Sequence, residues 1–285
     1  MAADEFGAIE RLLKKGRRTA RVSKVWQRIH DETGAGIITN NQLLFTPGDL
    51  RRLREYAKYL TNGLDPLTDT LKGTRMDLAE KTSDEKLASD SVFGALLVLA
   101  TSGEARVTIN GQVTNTPPGA VLSVRAEALD TEALKQCRLV IIENGSLMPH
   151  WQDIRLPTEW RDSVLLYRGH RENMRHVRKL IAEQPGENLA LYYDFDPEGL
   201  EMALSMGKGT ILIPVAWAEL NNESDTLGGA PQRNAYRRQT KAMKRLRMLS
   251  EGTDWEPVVK IMEDRELAVM QEHMTVRDWD LTTRC

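Results

Sequence analysis

The chain has 285 residues, a length that allows one large or two smaller domains. Of these residues 41% are hydrophobic, which is enough for a core, and 28% are charged, as is ordinary for a soluble protein. Its net charge of −2 means that any nucleic-acid surface must come from local basic patches. The sequence shows no membrane-spanning run and no secretory signal. Cys137 and Cys285 give neither a disulfide framework nor zinc-ligand spacing, so we expect a cytoplasmic protein.

The amino-terminal part, residues 1–92, is expected to form a helical arm and a connector. Apolar stripes predict two helices within residues 5–33, and two apolar pairs around an Asn-Asn-Gln turn predict a hairpin within residues 37–45. Thr46 as N-cap and Pro47 at the first position predict the start of a third helix. Helix, helix, hairpin and helix in this order are consistent with a winged-helix-like module.

A basic run joins the first two predicted helices and is a candidate DNA contact. The candidate DNA-binding residues of this run are Lys14, Lys15, Arg17 and Arg18. Such a run suits a phosphate backbone, but a solvated helical face explains it equally well. Residues 61–92 are polar and indicate a connector, with a helix expected around residues 75–87.

Residues 93–130 are expected to form a small antiparallel β unit. Three short strands are predicted, at residues 95–99, 105–109 and 121–124. Asn110 and Gly111 join two of these strands in the form that type I′ hairpins favour. This unit shows no residues with an evident chemical role.

Residues 131–285 are expected to form an α/β domain, a parallel sheet flanked by helices. Four apolar runs predict its buried strands, at residues 138–142, 163–167, 189–193 and 210–214. Helices are predicted at residues 171–183 and 200–206. Folds of this kind bind ligands at the carboxyl ends of their strands.

Acidic residues follow two of these strands. Glu143 ends one strand, and Asp194 and Asp196 end another. Strand side chains alternate faces, so the two aspartates point the same way, and their mutual repulsion is relieved by a hard cation such as Mg²⁺ or Mn²⁺. The alternative is that the segment is only a turn in which Asp194 or Asp196 caps the next helix.

A strongly basic helix is predicted at residues 233–247, with seven positive charges. Its candidate phosphate-binding residues are Arg237, Arg238, Lys241, Lys244 and Arg245. A merely soluble helix face is the alternative. Residues 255–274 are expected to form one or two further helices.

The acidic motifs resemble those of the Toprim domain of topoisomerases, primases and several nucleases. The match covers roughly residues 137–215 and includes Glu143 and the segment Asp194–Gly199, an Asp-X-Asp-Pro-X-Gly motif. That motif looks like the topoisomerase VI A subunit and the JetD/MksG nuclease subunit of Wadjet-type, condensin-like plasmid-defence systems. Members of the latter carry a Gln-Glu pair near the carboxyl terminus, and Gln271 and Glu272 occupy a comparable place.

The resemblance implies a Mg²⁺- or Mn²⁺-dependent DNA endonuclease. Asp194 and Asp196 would be metal ligands and catalytic residues, and Glu143 would either join them as a ligand or act as the general acid/base. Glu272 would be a further catalytic residue, which could hold a second ion. It also implies double-stranded plasmid DNA as substrate, an SMC/condensin-like ATPase complex as partner, a homodimer and no membrane association. The chain has no Walker A motif, so ATP hydrolysis would belong to the partner.

Two other functions stay open from the sequence. The first is a topoisomerase VI A-like transesterase, whose nucleophile would be Tyr56 or Tyr59, although both residues are expected in the core. The second is a non-catalytic DNA-binding subunit with a degenerate metal site. At the site itself, Arg168 and His170 are candidate phosphate contacts, and Glu198 would either bind a second ion or cap a helix.

Overall fold

The computed structural model describes residues 2–73, 78–82, 96–169, 172–221 and 232–284. The chain divides into two compact units, residues 1–94 and 95–285, each with its own hydrophobic core. Most of the helix expected around residues 75–87 lies outside the described residues, and so does His170. Within the described ranges, every helix is too short or too polar to cross a lipid bilayer.

The amino-terminal unit contains three helices and a three-stranded antiparallel sheet. In chain order these elements are α1 (Ala2–Lys14), β1 (Thr19–Arg21), α2 (Lys24–Thr33), β2 (Ile37–Thr39), β3 (Gln42–Leu44) and α3 (Pro47–Leu60). β3 lies between β1 and β2. The three helices and the hairpin stand at their predicted places, and the assignment of this unit to the winged-helix class stays a prediction.

β1 is a difference from the expectation that residues 5–33 are helical apart from one break. Gly16, with a φ of 59°, ends the first helix, and the chain then extends to pair with β3, with Ala20 opposite Leu43. The predicted turn and cap residues have the expected geometry: Asn40 has a positive φ, and Thr46 forms a capping box with Asp49. Strand pairing that completes a sheet outweighed the local helical pattern.

The second unit is built around a large mixed sheet with helices packed on it. Its elements are β4 (Leu96–Thr101), β5 (Val107–Ile109), β6 (Gln112–Thr114), β7 (Leu122–Arg125), α4 (Thr131–Lys135), β8 (Arg138–Ile142), β9 (Ser163–Tyr167), α5 (Glu172–Glu183), β10 (Leu189–Tyr192), α6 (Pro197–Leu204), β11 (Thr210–Pro214), α7 (Gln232–Arg238), α8 (Thr240–Ser250), α9 (Glu256–Asp264), α10 (Gln271–Val276) and β12 (Leu281–Arg284).

Seven strands of the described chain form this sheet, in the order β12-β11-β10-β8-β9-β4-β7. The four central strands, β11, β10, β8 and β9, are parallel, whereas β12, β4 and β7 pair antiparallel at the flanks. The expectation of a parallel sheet therefore holds for the centre only. The central strands are almost continuously apolar and buried, as parallel strands covered on both faces must be.

The small antiparallel β unit expected at residues 93–130 is not a separate body. β4 and β7 pair with each other, but β4 also pairs with β9 and so joins the main sheet, and only β5 and β6 form a two-stranded sheet of their own. The apolar side chains of Leu97 and Leu99 explain this placement because the core of the unit buries both completely. A hairpin this small could not have covered them alone.

Candidate metal-binding and catalytic site

The predicted acidic residues lie where the parallel strands β8 and β10 end, side by side. The backbone N–H of Glu143 donates to the carbonyl oxygen of Tyr192 at 3.1 Å and continues the strand pairing by one residue. The Oε2 atom of Glu143 then accepts a hydrogen bond from the backbone N–H of Asp194 at 3.1 Å. Two acidic residues that are 51 positions apart in the chain are thereby joined directly.

Asp196 caps helix α6 and is almost completely buried. Its Oδ1 accepts from the backbone N–H of Gly199 at 2.7 Å, which is the N-cap geometry that the alternative interpretation of this segment expected. Its Oδ2 accepts from the Nε2 atom of Gln239 at 2.6 Å. Both carboxylate oxygens of Asp196 thus have a hydrogen-bond donor.

Gly199, the glycine of the Asp-X-Asp-Pro-X-Gly motif, lies where a side chain has no room. A Cβ atom at this position would lie 2.2 Å from the backbone oxygen of Asp194, far inside van der Waals contact. Only a glycine lets the first turn of α6 approach the end of β10 so closely. The close approach holds Asp194 and Asp196 next to each other.

Gln271, at the start of α10, connects the two strand ends to the carboxyl-terminal part of the chain. Its backbone N–H donates to Oδ1 of Asp194 at 2.7 Å. Its fully buried side chain accepts from the backbone N–H of Asn144 at 2.8 Å and donates to the carbonyl oxygen of Tyr192 at 2.7 Å. Gln271 therefore positions Asp194 and locks β8, β10 and α10 together.

Glu272 lies in the same place, next to Gln271. Its Oε1 accepts from the side-chain amide of Asn144 and, at 2.7 Å, from the hydroxyl of Ser146. The carboxylate of Glu272 also acts on Asp194 electrostatically. The structure thus brings together Glu143, Asp194, Asp196 and Glu272, which we call the acidic cluster.

The acidic cluster is short of positive charge. Burial is the largest cause that raises the pKa of Asp194, and together with the carboxylates of Glu143, Asp196 and Glu272 it brings this pKa to about 7 against the opposing hydrogen bond from Gln271. Burial also raises the pKa of Glu143 and that of Asp196. The one cation paired with the cluster among the described residues is Arg168, whose guanidinium lies 3.2 Å from Oε1 of Glu143.

The donor chemistry of the acidic cluster fits a hard divalent cation. Carboxylate oxygens are the ligands that Mg²⁺ and Mn²⁺ prefer, and Oδ2 of Asp194 accepts no hydrogen bond within the described chain. The complete ligand set is not assembled, because no three His, Cys, Asp or Glu side chains in the described ranges stand close enough to hold an ion. The carboxylates face backbone N–H groups, Arg168 and Gln239 instead, so binding requires some of them to turn.

Gln239 is a site residue that sequence reasoning missed. It lies between α7 and α8 with φ −101° and ψ 24°, so the single helix expected at residues 233–247 is broken there. Besides contacting Asp196, its Oε1 accepts from the backbone N–H of Glu198 at 3.0 Å. A glutamine within a basic stretch carries no signal of such a role, since only the tertiary fold places it against the cluster.

The basic residues of α7 and α8 divide into paired and unpaired groups. Arg237 pairs with Glu266 at 3.1 Å, and Arg245 pairs with Glu201 at 3.0 Å. The exposed side chains without an acidic partner in the described chain are Arg238, Lys241 and Lys244. The protein's own carboxylates therefore neutralise part of the positive charge of these helices.

The basic run of the amino-terminal unit is exposed. The ammonium group of Lys14 contacts Oε1 of Glu10 at 2.8 Å and the backbone oxygen of Asp69 at 2.9 Å. Lys15, Arg17 and Arg18 are exposed and have no acidic partner among the described residues. Three cations of this run are thus available to a phosphate backbone.

The two tyrosines considered as nucleophiles differ from each other. The hydroxyl of Tyr56 donates to Oε2 of Glu5 at 3.1 Å, and burial together with this carboxylate raises its pKa to about 12. Tyr59 is 79% exposed, so the expectation that it belongs to the core was wrong. The raised pKa makes Tyr56 a poorer nucleophile than an ordinary tyrosine.

Two candidates remain, Arg168 and Glu198, and in the described chain only Arg168 contacts the acidic cluster through its side chain. The guanidinium of Arg168 pairs with Glu143 and contacts its backbone oxygen at 3.3 Å, so it supports the acidic cluster directly. Glu198 lies in the first turn of α6 and is exposed, while Asp196 occupies the cap position. The described contacts thus give Glu198 no capping role of its own.

These observations define the class of the structure: a mixed α/β unit with an acidic cluster at the carboxyl ends of its parallel strands. Residues 94–283 match the model of a family described as a domain of unknown function, DUF7281. The match covers more than half of the chain, which therefore belongs to this family. A search of curated proteins finds no match.

Proposed function

We propose that the chain is a metal-dependent DNA endonuclease that hydrolyses phosphodiester bonds at the acidic cluster. The observation that carries the proposal is the meeting of four acidic residues from three distant segments at the ends of β8 and β10 and the start of α10. Burial, together with their shared charge, raises the pKa of Asp194 to about 7, so the ionised cluster is unfavourable without a cation. A purely structural cluster would gain nothing from this repulsion.

A bound Mg²⁺ or Mn²⁺ would polarise the scissile phosphate and stabilise the negative charge that develops on its oxygens. Glu143, Asp194 and Asp196 would hold the ion, with Oδ2 of Asp194 as the oxygen that is already free of donors. Gln271 fixes the orientation of Asp194 through its backbone N–H. For Asp196, the hydrogen bond from Gln239 must open before Oδ2 can reach an ion.

Glu272 is the residue we assign to proton transfer. Asn144 and Ser146 both donate to its Oε1, which leaves Oε2 without a donor among the described residues. A carboxylate held in this way presents one oxygen of fixed direction, as a general base that accepts a proton from an attacking water needs. Its partner groups therefore position it without neutralising it.

Phosphate contacts of the substrate would come from exposed cations. In the second unit these are Arg238, Lys241 and Lys244, and in the amino-terminal unit Lys15, Arg17 and Arg18. Contacts of this kind hold a duplex without reading its sequence. Plasmid DNA as substrate, a condensin-like ATPase complex as partner and a homodimer are parts of the proposal that rest on the resemblance to Toprim nuclease subunits of plasmid-defence systems.

Plasmid cleavage with Mg²⁺ or Mn²⁺ tests the proposal. We expect nicking or linearisation by the wild type and none by the double variant Asp194→Ala/Asp196→Ala. Asp280→Ala is a matched control, because Asp280 is an exposed aspartate of the same unit outside the cluster. Equal cleavage by the double variant and the control would remove the proposal.

A further inference from the structure

A cavity of about 310 Å³ lies between α5 and α6, beside the acidic cluster. Its walls are formed by Arg168, Met174, Val177, Arg178, Ile181, Tyr193, Glu201, Met202, Ser205 and Met206. Five of these side chains are aliphatic or thioether groups, and we call the space the methionine-lined cavity. Its volume is at the lower end of the range of small-molecule sites.

Tyr193 supplies a polar group without a partner in this cavity. The residue is 3% exposed, and its hydroxyl forms no hydrogen bond with the described residues. Among the described residues, the only solvent-inaccessible side-chain nitrogen or oxygen atom without a hydrogen-bond partner is Nε of Arg284. The hydroxyl oxygen of Tyr193, which also lacks a partner among these residues, must therefore be accessible to solvent. The small accessible area of Tyr193 therefore opens to the cavity that it lines. A buried hydroxyl in this position gains from a ligand that can hydrogen-bond to it.

The free charge on the cavity wall is positive. Glu201 is neutralised by Arg245 at 3.0 Å, and Arg168 is paired with Glu143 at 3.2 Å. Arg178 is exposed and has no acidic partner within the described residues. Arg178 therefore favours a ligand with an anionic group, and a bidentate acceptor such as phosphate suits the planar guanidinium best.

The apolar part of the wall suits a flat ring. Met174, Met202 and Met206 are flexible and polarisable, and thioether sulfurs make favourable contacts with aromatic rings. A small ligand that joins a flat ring to a phosphate is a nucleoside monophosphate. The tyrosine hydroxyl and Ser205 provide hydrogen-bonding groups for its polar edges.

We propose that the methionine-lined cavity binds one unpaired nucleotide, with the base among the methionines and the phosphate at Arg178. Arg168 lines the cavity and also contacts Glu143, so the nucleotide lies next to the acidic cluster. This inference rests on the proposed function, because it makes the nucleotide a neighbour of the phosphodiester that is cut. The same chemistry would also accept a free nucleotide, and the test separates the two sources.

Calorimetric titrations in EDTA measure this binding without cleavage. The probes are dTMP, inorganic phosphate, a short oligothymidylate and a blunt duplex. Arg178→Gln removes the free cation, and Ser205→Trp fills the cavity from an exposed position. Arg175→Gln is the matched control, because Arg175 is exposed on the same helix but does not line the cavity. Thermal unfolding of each variant confirms that it is folded.

We expect oligothymidylate to bind more tightly than the duplex, and its affinity to fall about tenfold or more in Arg178→Gln. Ser205→Trp should abolish the binding, and Arg175→Gln should leave it unchanged. Binding of dTMP with the same affinity as oligothymidylate would assign the site to free nucleotides. Absence of binding by every probe, equal binding of phosphate and dTMP, or equal effects of Arg178→Gln and Arg175→Gln would overturn the inference.

Failure of this inference can be told from failure of the proposed function. The titrations contain no cation and measure no cleavage, so their result does not depend on the metal chemistry. Conversely, plasmid cleavage that requires Asp194 and Asp196 but is insensitive to Ser205→Trp would retain the nuclease and remove the nucleotide cavity.

Discussion

The carboxylate of Asp194 is repelled by the other three carboxylates of the acidic cluster. It is partly buried beside three other carboxylates, and its Oδ1 accepts a hydrogen bond from the backbone N–H of Gln271. Its pKa of about 7 lies well above the ordinary value of 3.8, so the folded state binds this proton more tightly than the unfolded state does. As the pH rises from about 4 through 7, ionisation of Asp194 therefore lowers the stability of the metal-free protein.

Asp194→Asn should stabilise the metal-free protein at alkaline pH. The amide keeps an oxygen for the N–H of Gln271 but carries no charge, so the gain should be on the order of 2 kcal/mol above pH 7 and vanish near pH 4. Denaturant unfolding in EDTA across this pH range measures it, with Asp280→Asn as control. An identical pH dependence for wild type and Asp194→Asn would contradict the assigned electrostatics.

Gln271 and Glu272 are neighbours with separable roles. Gln271→Ala leaves the N–H of Asn144 and the carbonyl of Tyr192 without partners in the core, which should cost about 2–4 kcal/mol of unfolding free energy.

Glu272→Gln should change stability little and lower kcat by about 100-fold, because the amide cannot accept the proton. Unfolding curves and single-turnover cleavage measure the two effects. A Glu272→Gln enzyme with unchanged kcat would remove its proton-transfer role.

At the scale of elements, the break between α7 and α8 links the basic stretch to the acidic cluster. Gln239 sits at this break and donates to Oδ2 of Asp196, an oxygen that a cation needs. Gln239→Ala removes the competing donor. We expect the affinity for Mn²⁺ to rise about tenfold, the effect of one hydrogen bond to a charged group. Calorimetry measures this, with the exposed Gln152→Ala as control, and a lower affinity in Gln239→Ala would show that Gln239 supports the ion instead.

The basic residues of α7 and α8 differ in their partners, which predicts unequal contributions to DNA binding. Replacing the unpaired residues Arg238, Lys241 and Lys244 by Gln should lower the slope of log K against log salt by about 2–3, since each free cation displaces roughly one counterion. The double variant Arg237→Gln/Arg245→Gln should change the slope less, because both arginines already pair with carboxylates. Equal slopes for the triple variant and the wild type would exclude these helices from the interface.

At the scale of the whole molecule, the sequence predicted what local rules determine. The strand ends that carry Glu143 and Asp194 could be predicted because buried parallel strands are continuously apolar and end at one sheet edge. Glu272 was placed near them only through the family resemblance. The junction of β4 with β9 and the contact of Gln239 with Asp196 were not predicted, because each depends on pairing between distant segments that no local pattern encodes.

The central claim is that the acidic cluster binds a divalent cation, and calorimetric titration of Mn²⁺ into the metal-free protein tests it most directly. The account predicts saturable binding by the wild type and by Asp280→Ala, and loss of that binding in Asp194→Ala/Asp196→Ala. Thermal unfolding should show that the double variant is folded. Absence of binding by the wild type, or equal binding by the folded double variant, would contradict the claim.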